Sequence, residues 1–230
     1  MITAVYGRVG TLIAQIEFSK VGDIFIAPLK DIMEKARKKN LISGSSLKNI
    51  AYFSCINISK GNPKNIKELK DLTREGIKVA IADPEFVYLG MLSAEIVDQN
   101  LTAQERVDFR KNVLTYAEDV SKLAMFVSLK QVDAVSGFHF LDRWYPDKIE
   151  TIKLSAREVR RIGAGQASIV SFSQSNDNAK KFLDFLSSRA VKTILTKYHY
   201  FCTPEEALHW SGGTKPIGGT CSLPAEWRKR

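Results

Sequence analysis

Residue types that do chemistry are scarce in this chain of 230 residues. Its histidines are His139, His199 and His209, and its cysteines are Cys55, Cys202 and Cys221. His199, Cys202, His209 and Cys221 run as H-x2-C-x6-H-x11-C, a spacing that matches no usual zinc finger. His139 is the only histidine outside the C-terminal region, so no Ser/His/Asp or Cys/His arrangement is suggested and no motif supports an enzyme. Gly212-Gly213-Thr214-Lys215 has the composition of a phosphate loop, but no strand is predicted before it and no helix after it. These residues predict no catalytic group, no direct metal ligand and no cofactor.

One stretch does suggest chemistry, and it is anion binding. Residues 76–97 read GIKVAIADPEFVYLGMLSAEIV. The compact run of Ile77, Val79, Ala80, Ile81 and Ala82 stops at Asp83-Pro84, as a short buried strand does. Leu89, Leu92 and Ile96 then recur at helical intervals, with Gly90 in the first turns. A strand that ends in a loop and feeds a helix is where open α/β sheets take ligands. The helix N-terminus there offers unpaired N–H groups and a partial positive charge.

The elements that position this loop read as follows. Residues 2–6 form a strand candidate, residues 7–10 a turn, and residues 11–18 a helix with Leu12, Ile13 and Ile16 inward. A buried strand at 23–27 precedes Pro28, which suits the first turn of a helix carrying Leu29, Ile32, Met33 and Ala36. A long strand is expected over 50–58, a turn at Lys60-Gly61-Asn62-Pro63 and a short helix over 66–72. After residue 97 come a helix at 103–110, a strand stub at 114–117, and a helix that Asp119 caps, with Val120, Leu123, Ala124 and Val127 on one face. Strands at 132–138, 148–154 and 161–172 and helices at 178–186 and 190–198 follow; from residue 201 Pro, Gly and Ser predict an extended tail. Strands alternating with helices indicate an α/β fold with mostly parallel sheets. The long strands at 50–58 and 161–172 suggest two crossings between two lobes, hence a cleft and a hinge.

Composition adds bounds rather than a function. At 44% hydrophobic the chain can bury one large core or two small ones. A formal charge of +9 favours anionic partners, yet Lys35-Ala-Arg37-Lys38-Lys39 and Arg228-Lys229-Arg230 lack the interleaved aromatics of a nucleic-acid groove. Cys55 reads as a core residue, and Cys202 and Cys221, which flank a glycine-rich tail, as a pair that could be bridged if the compartment is oxidising. The opening MITAVYGRVG has neither the basic region nor the apolar stretch of a signal peptide, and no apolar run is long enough to span a membrane.

Several segments together resemble the periplasmic molybdate- and tungstate-binding proteins of ABC importers. They are Gly7-x-x-Gly10-Thr11-Leu12-x-x-Gln15-Ile16-Glu17, Gly22-Asp23-Ile24-Phe25-Ile26-Ala27, Lys60-Gly61-Asn62-Pro63, Ala82-Asp83-Pro84-Glu85-x-Val87 with Gly90, and Ala117-Glu118-Asp119-Val120. Phe182-Leu183-Asp184-Phe185-Leu186 with Lys197-Tyr198 continues the resemblance, which covers roughly residues 5–201. It implies a two-lobed, type II periplasmic-binding-protein-like fold, with residues 1–50 and 170–230 as lobe I and 51–169 as lobe II. Each lobe is then a mostly parallel sheet flanked by helices.

The resemblance also implies a site. Such proteins hold a tetrahedral dianion with backbone N–H groups and hydroxyls, since oriented donors stabilise an oxyanion in a partly dehydrated cleft. Carried over by position, Arg8, Val9, Gly10 and Thr11 supply donors from lobe I. Tyr88 and Leu89 supply backbone N–H groups, as does Val120 at the start of its helix. Phe138 stands where the family commonly has a ligand-contacting tyrosine. Against the family pattern, the chain opens at the second strand, Arg8-Val9 replaces a serine, and Phe138 lacks the hydroxyl. The implied protein is a monomeric receptor on the periplasmic or extracellular side. It would bind molybdate or tungstate and pass it to an ABC permease, without nucleic acid or membrane insertion. A cytoplasmic sensing module of a regulator, or a relative that has lost binding, are the alternatives.

Overall fold

The computed structural model describes residues 2–7, 9–219 and 222–228, the side chains of residues 45, 46, 48 and 49 excepted. In chain order come α1 (Val9–Ser19), β1 (Ile24–Ala27), α2 (Lys30–Lys38), β2 (Ile42–Tyr52) and β3 (Ser54–Ser59). A 3-10 turn (Leu69–Thr73), β4 (Val79–Ala82), α3 (Tyr88–Asn100), α4 (Ala103–Asn112), β5 (Val113–Ala117) and α5 (Val120–Ser128) follow. Next are β6 (Ala134–Phe138), a short α6 (Leu141–Trp144), β7 (Ile149–Ile152), β8 (Gly163–Val170), α7 (Asn176–Leu186), α8 (Arg189–Lys197) and α9 (Pro204–Ser211). A last 3-10 turn lies at Ala225–Trp227.

The strands form two sheets, one of three strands in the order β1-β8-β2 and one of five in the order β5-β4-β6-β3-β7. The fold is α/β, with helices flanking both sheets. Among the named strands, parallel pairing occurs in β5-β4-β6, where each strand is followed by a helix that returns the chain to the same end of the sheet. β3 runs antiparallel to both β6 and β7, and β8 antiparallel to both β1 and β2. This corrects the expectation of mostly parallel sheets. β3 and β8 each arrive from the other sheet, so the strand–helix–strand crossover that enforces parallel pairing does not apply to them.

The first change of sheet happens at one residue. Tyr52 ends β2, Ser54 begins β3, and the wholly buried Phe53 stands between them, so the single strand expected over 50–58 is two. The chain returns through residues 153–162 to β8. That strand pairs with β1 and β2 along its whole length, although residues up to 169 were expected in lobe II.

β4 shows why the five-stranded sheet is firm. Val79 and Ile81 enter one apolar cluster with Phe109 and Ile96, while Ala80 and Ala82 enter another with Leu89, Leu123 and Val135. A strand with both faces buried reads as a continuous apolar run, which is what residues 77–82 are. The three-stranded sheet has a smaller cluster of Phe25, Ala27, Ile42 and Val170 against Met33, Ala36 and Ile13.

Three further expectations are corrected. Residues 2–7 form no strand, and Ile2, Val5 and Tyr6 are exposed, because no neighbouring strand pairs with them. Pro28 lies outside α2, which starts at Lys30 after Leu29. The tail is not simply extended. Thr203 accepts the Glu206 N–H, Pro204 opens the first turn, and Gly212 closes α9 at a φ of 78°.

Candidate functional site

The loop after β4 is built by Asp83 and by a missing side chain. The N–H of Asp83 donates to the carbonyl of Ala117 at 2.9 Å, which locks the end of β4 to β5. Its carboxylate accepts from the N–H of Glu85 at 3.0 Å, and its carbonyl from that of Val87 at 2.9 Å. The turn delivers Tyr88 and Leu89 as the first two residues of α3. A Cβ on Gly90 would lie 2.3 Å from the Ala82 carbonyl oxygen, so only glycine lets the helix start this close to the strand end. Val87, at the N-cap position, makes no side-chain cap, so the N–H groups of this turn receive no side-chain acceptor from it.

The next loop differs in its cap. Asp119 caps α5, its carboxylate accepting from the Lys122 N–H at 2.8 Å. That bears out the sequence reading of the cap. It also places a carboxylate at the N-terminus of α5, as Asp83 and Glu85 do in the loop before α3.

Phe138 ends β6 and is buried. Tyr88, Leu89, Val120 and Phe138 share one apolar cluster, at or just beyond the carboxyl ends of three neighbouring strands. Tyr52, unnoticed in the sequence, is part of the same wall. Its ring meets Phe138 edge-on at 4.8 Å, and its hydroxyl donates to the carbonyl of Pro28, beyond β1 of the other sheet, at 2.6 Å. Burial above all, and the neighbouring Tyr88 and Tyr200, push the pKa of this phenol up, so it stays a protonated donor.

The predicted residues of the other side are not part of that wall. Val9 and Gly10 are helical rather than a turn, since α1 begins at Val9, two residues earlier than expected. Val9 packs on the smaller cluster of the three-stranded sheet, and Gly10 and Thr11 are exposed. Arg8 lies outside the described residues.

A cavity of about 440 Å³ opens at the α3 loop, lined by Pro84, Glu85, Phe86, Val87, Tyr88 and Met91 and, from the C-terminal segment, by Leu223 and Arg228. Nothing in the spacing of the tail announced those last two. Among the described residues no group of three or more His, Cys, Asp or Glu is placed to hold a metal ion, and no helix is long and apolar enough to cross a membrane. His199 Nδ1 accepts from Arg143 Nε at 2.9 Å, and Cys202 is a free thiol, whereas Cys221 lies outside the described residues.

The family of bacterial extracellular solute-binding proteins matches residues 1–201. No curated protein matches the chain. Among solved structures, the substrate-binding domain of a putative molybdenum ABC transporter from Clostridium difficile is 24% identical, covers 87% of this chain and 85% of its own, and has a TM-score of 0.68. The periplasmic molybdate-binding protein of Azotobacter vinelandii is 16% identical over 85% of this chain and 84% of its own, with a TM-score of 0.71. The sulfate-binding protein SubI of Mycobacterium tuberculosis is 13% identical over 93% of this chain and 81% of its own, with a TM-score of 0.68. At these identities the likeness is one of fold, the two-lobed type II periplasmic-binding-protein fold.

Proposed function

Because this chain belongs to the family of bacterial extracellular solute-binding proteins, we propose that it captures a tetrahedral oxyanion, molybdate or tungstate, and delivers it to an ABC permease. It acts as a monomer on the periplasmic or extracellular side and carries out no reaction. The observation that carries this reading is the convergence of Tyr88, Leu89, Val120 and Phe138 on one wall at the carboxyl ends of β4, β5 and β6. That is where open α/β sheets bind ligands. The donors there are backbone N–H groups of helix starts, which suit an oxyanion and need no countercharge. Likeness to a molybdate binder and to a sulfate binder supports the same class of ligand, a tetrahedral dianion.

Calorimetric titration with molybdate, tungstate, sulfate and phosphate tests the reading; the absence of binding heat with all four defeats it. The role of the α3 turn has a sharper test. Tyr88 is the first helical residue, where proline is tolerated, and Val87 before it has φ −120° and ψ 126°, which proline also accepts. Tyr88→Pro therefore deletes one donor without deleting the helix. Relative to Tyr88→Ala, which keeps the N–H, it is expected to weaken binding by about 1.5–3 kcal/mol.

A further inference from the structure

The family match stops at residue 201, yet the chain beyond it is bonded into both halves of the molecule. Ala207 of α9 is buried in the cluster that holds Phe53 and Ile162. Residues 216–219 then run beside the connection to β8. The Ile162 N–H donates to the Pro216 carbonyl at 2.9 Å, the Gly218 N–H to the Ile162 carbonyl at 2.8 Å, and Arg161 Nη1 to the Gly218 carbonyl at 3.0 Å. At Gly219 the segment reaches the three-stranded side, its N–H donating to the Asp31 carboxylate of α2 at 2.8 Å. It ends on the five-stranded side, where Trp227 is buried edge-on to Phe109 of α4 at 6.2 Å. Leu223, between these anchors, and Arg228, just after Trp227, face the cavity at the α3 loop.

We propose that the C-terminal segment, described over residues 212–219 and 222–228, completes the oxyanion site, with Arg228 as its ligand-facing cation and the Gly219–Asp31 hydrogen bond as a tether of the same segment. This inference rests on the oxyanion reading above and adds to it a charged contact from outside the matched family region. The cavity wall carries the carboxylate of Glu85, which repels an anion, and Arg228 is the basic residue on that wall that offsets it. Its guanidinium is already held. Nε and Nη2 donate to the Leu223 carbonyl at 3.1 and 2.9 Å, so little rotamer freedom is left to lose when a ligand arrives. The cavity is open and Phe86 is exposed, so the contact is made partly in solvent and is screened by salt.

The test is calorimetric titration of the whole chain with molybdate, tungstate and sulfate at low and at high salt, for wild type, Arg228→Gln, Arg228→Lys and Asp31→Ala. Arg228→Gln is expected to lose roughly tenfold or more in affinity and most of the salt dependence, and Arg228→Lys to keep the salt dependence. Asp31→Ala is expected to weaken binding while Arg228 is still present, and to speed hydrogen exchange at residues 217–219. If wild type binds and Arg228→Gln matches it in affinity and salt slope, the ligand-facing role is overturned while the oxyanion reading stands. If wild type binds none of the three anions, the oxyanion reading and the ligand-facing role fall together. Unchanged exchange in Asp31→Ala overturns the tether.

Discussion

Residues 77–90 and residues 2–11 carry similar local patterns, an apolar β-prone run, a turn and a helix, yet they end in different states. The first run becomes β4, hydrogen-bonded between β5 and β6 and buried on both faces. The second stays unpaired, with Ile2, Val5 and Tyr6 exposed, and only the helix after it packs. A strand is a pairing, so the same side chains become a strand only where neighbours accept their backbone. The helix starts differ in consequence: α3 is clamped onto a strand end, whereas α1 begins beside open solvent at Gly10. Donors at a helix start that is clamped to a sheet are aimed before a ligand arrives.

The largest expected effect comes from the buried side of this contrast. Glu95 of α3 holds Arg161 through two hydrogen bonds at 2.6 and 2.8 Å, and both side chains are nearly buried. Glu95→Ala strands a guanidinium in the core and is expected to cost about 3–5 kcal/mol in denaturant unfolding. The double change to Met at both positions should recover much of that, since well-packed apolar groups replace buried ion pairs at little loss. The pair Lys39–Glu17, which ties α1 to the end of α2, is exposed, and removing it should cost under about 1 kcal/mol. Equal losses at the two pairs would break the contrast.

A second effect reads the part of the core where the chain passes between sheets at Phe53. His139, beside Phe138, is buried; its Nδ1 accepts from the Phe53 N–H at 3.4 Å and its Nε2 meets the His199 carbonyl at 2.7 Å. Those partners require the neutral ring with the proton on Nε2, because a proton on Nδ1 would oppose the Phe53 N–H. Burial, which outweighs the two backbone bonds, pushes the imidazole down from 6.5 to about 4. The unfolded chain therefore binds more protons between those values. Stability from this group is complete above about pH 6.5 and falls as the pH drops toward 4, by on the order of 3 kcal/mol in all. Unfolding free energies across that range should slope upward with pH, and His139→Gln, which keeps a donor and an acceptor, should remove part of the slope.

What could be read from the sequence follows the same division. β4, the Asp119 cap and the turn at Asp83 were legible because each depends on residues within a few positions. The break at Phe53 was not, because an apolar residue that ends one strand and admits the next looks like the middle of one long strand. In the tail, Thr203-Pro204-Glu205-Glu206 carries the signals of a helix start, but the Pro, Gly and Ser around it outweighed them. Tyr52 and Arg228 enter the site through partners far away in the chain, Pro28 for one and the α3 loop for the other, and no local spacing encodes such contacts.

The last pair of predictions sets the two helix starts against each other with one chemical change. Gly90→Ala adds a methyl group within 2.5 Å of the Ala82 carbonyl oxygen and the Asp83 backbone, which cannot move without breaking the bond from Asp83 to Ala117. Overpacking of this kind should cost about 1–3 kcal/mol, and because α3 must then lift off the strand end, oxyanion affinity should fall with it. At Gly10 a Cβ meets nothing within 4 Å, and the residue is helical. There alanine only narrows the unfolded ensemble and favours the helix, so Gly10→Ala should stabilise by up to about 1 kcal/mol in the same unfolding measurement. Alanine also keeps the Gly10 N–H, so a fall in oxyanion affinity in this variant would mean that the ligand approaches α1 closely enough to meet the new methyl group. Unchanged affinity with raised stability would leave the α3 turn as the part of the site where backbone packing, and not merely backbone presence, decides binding.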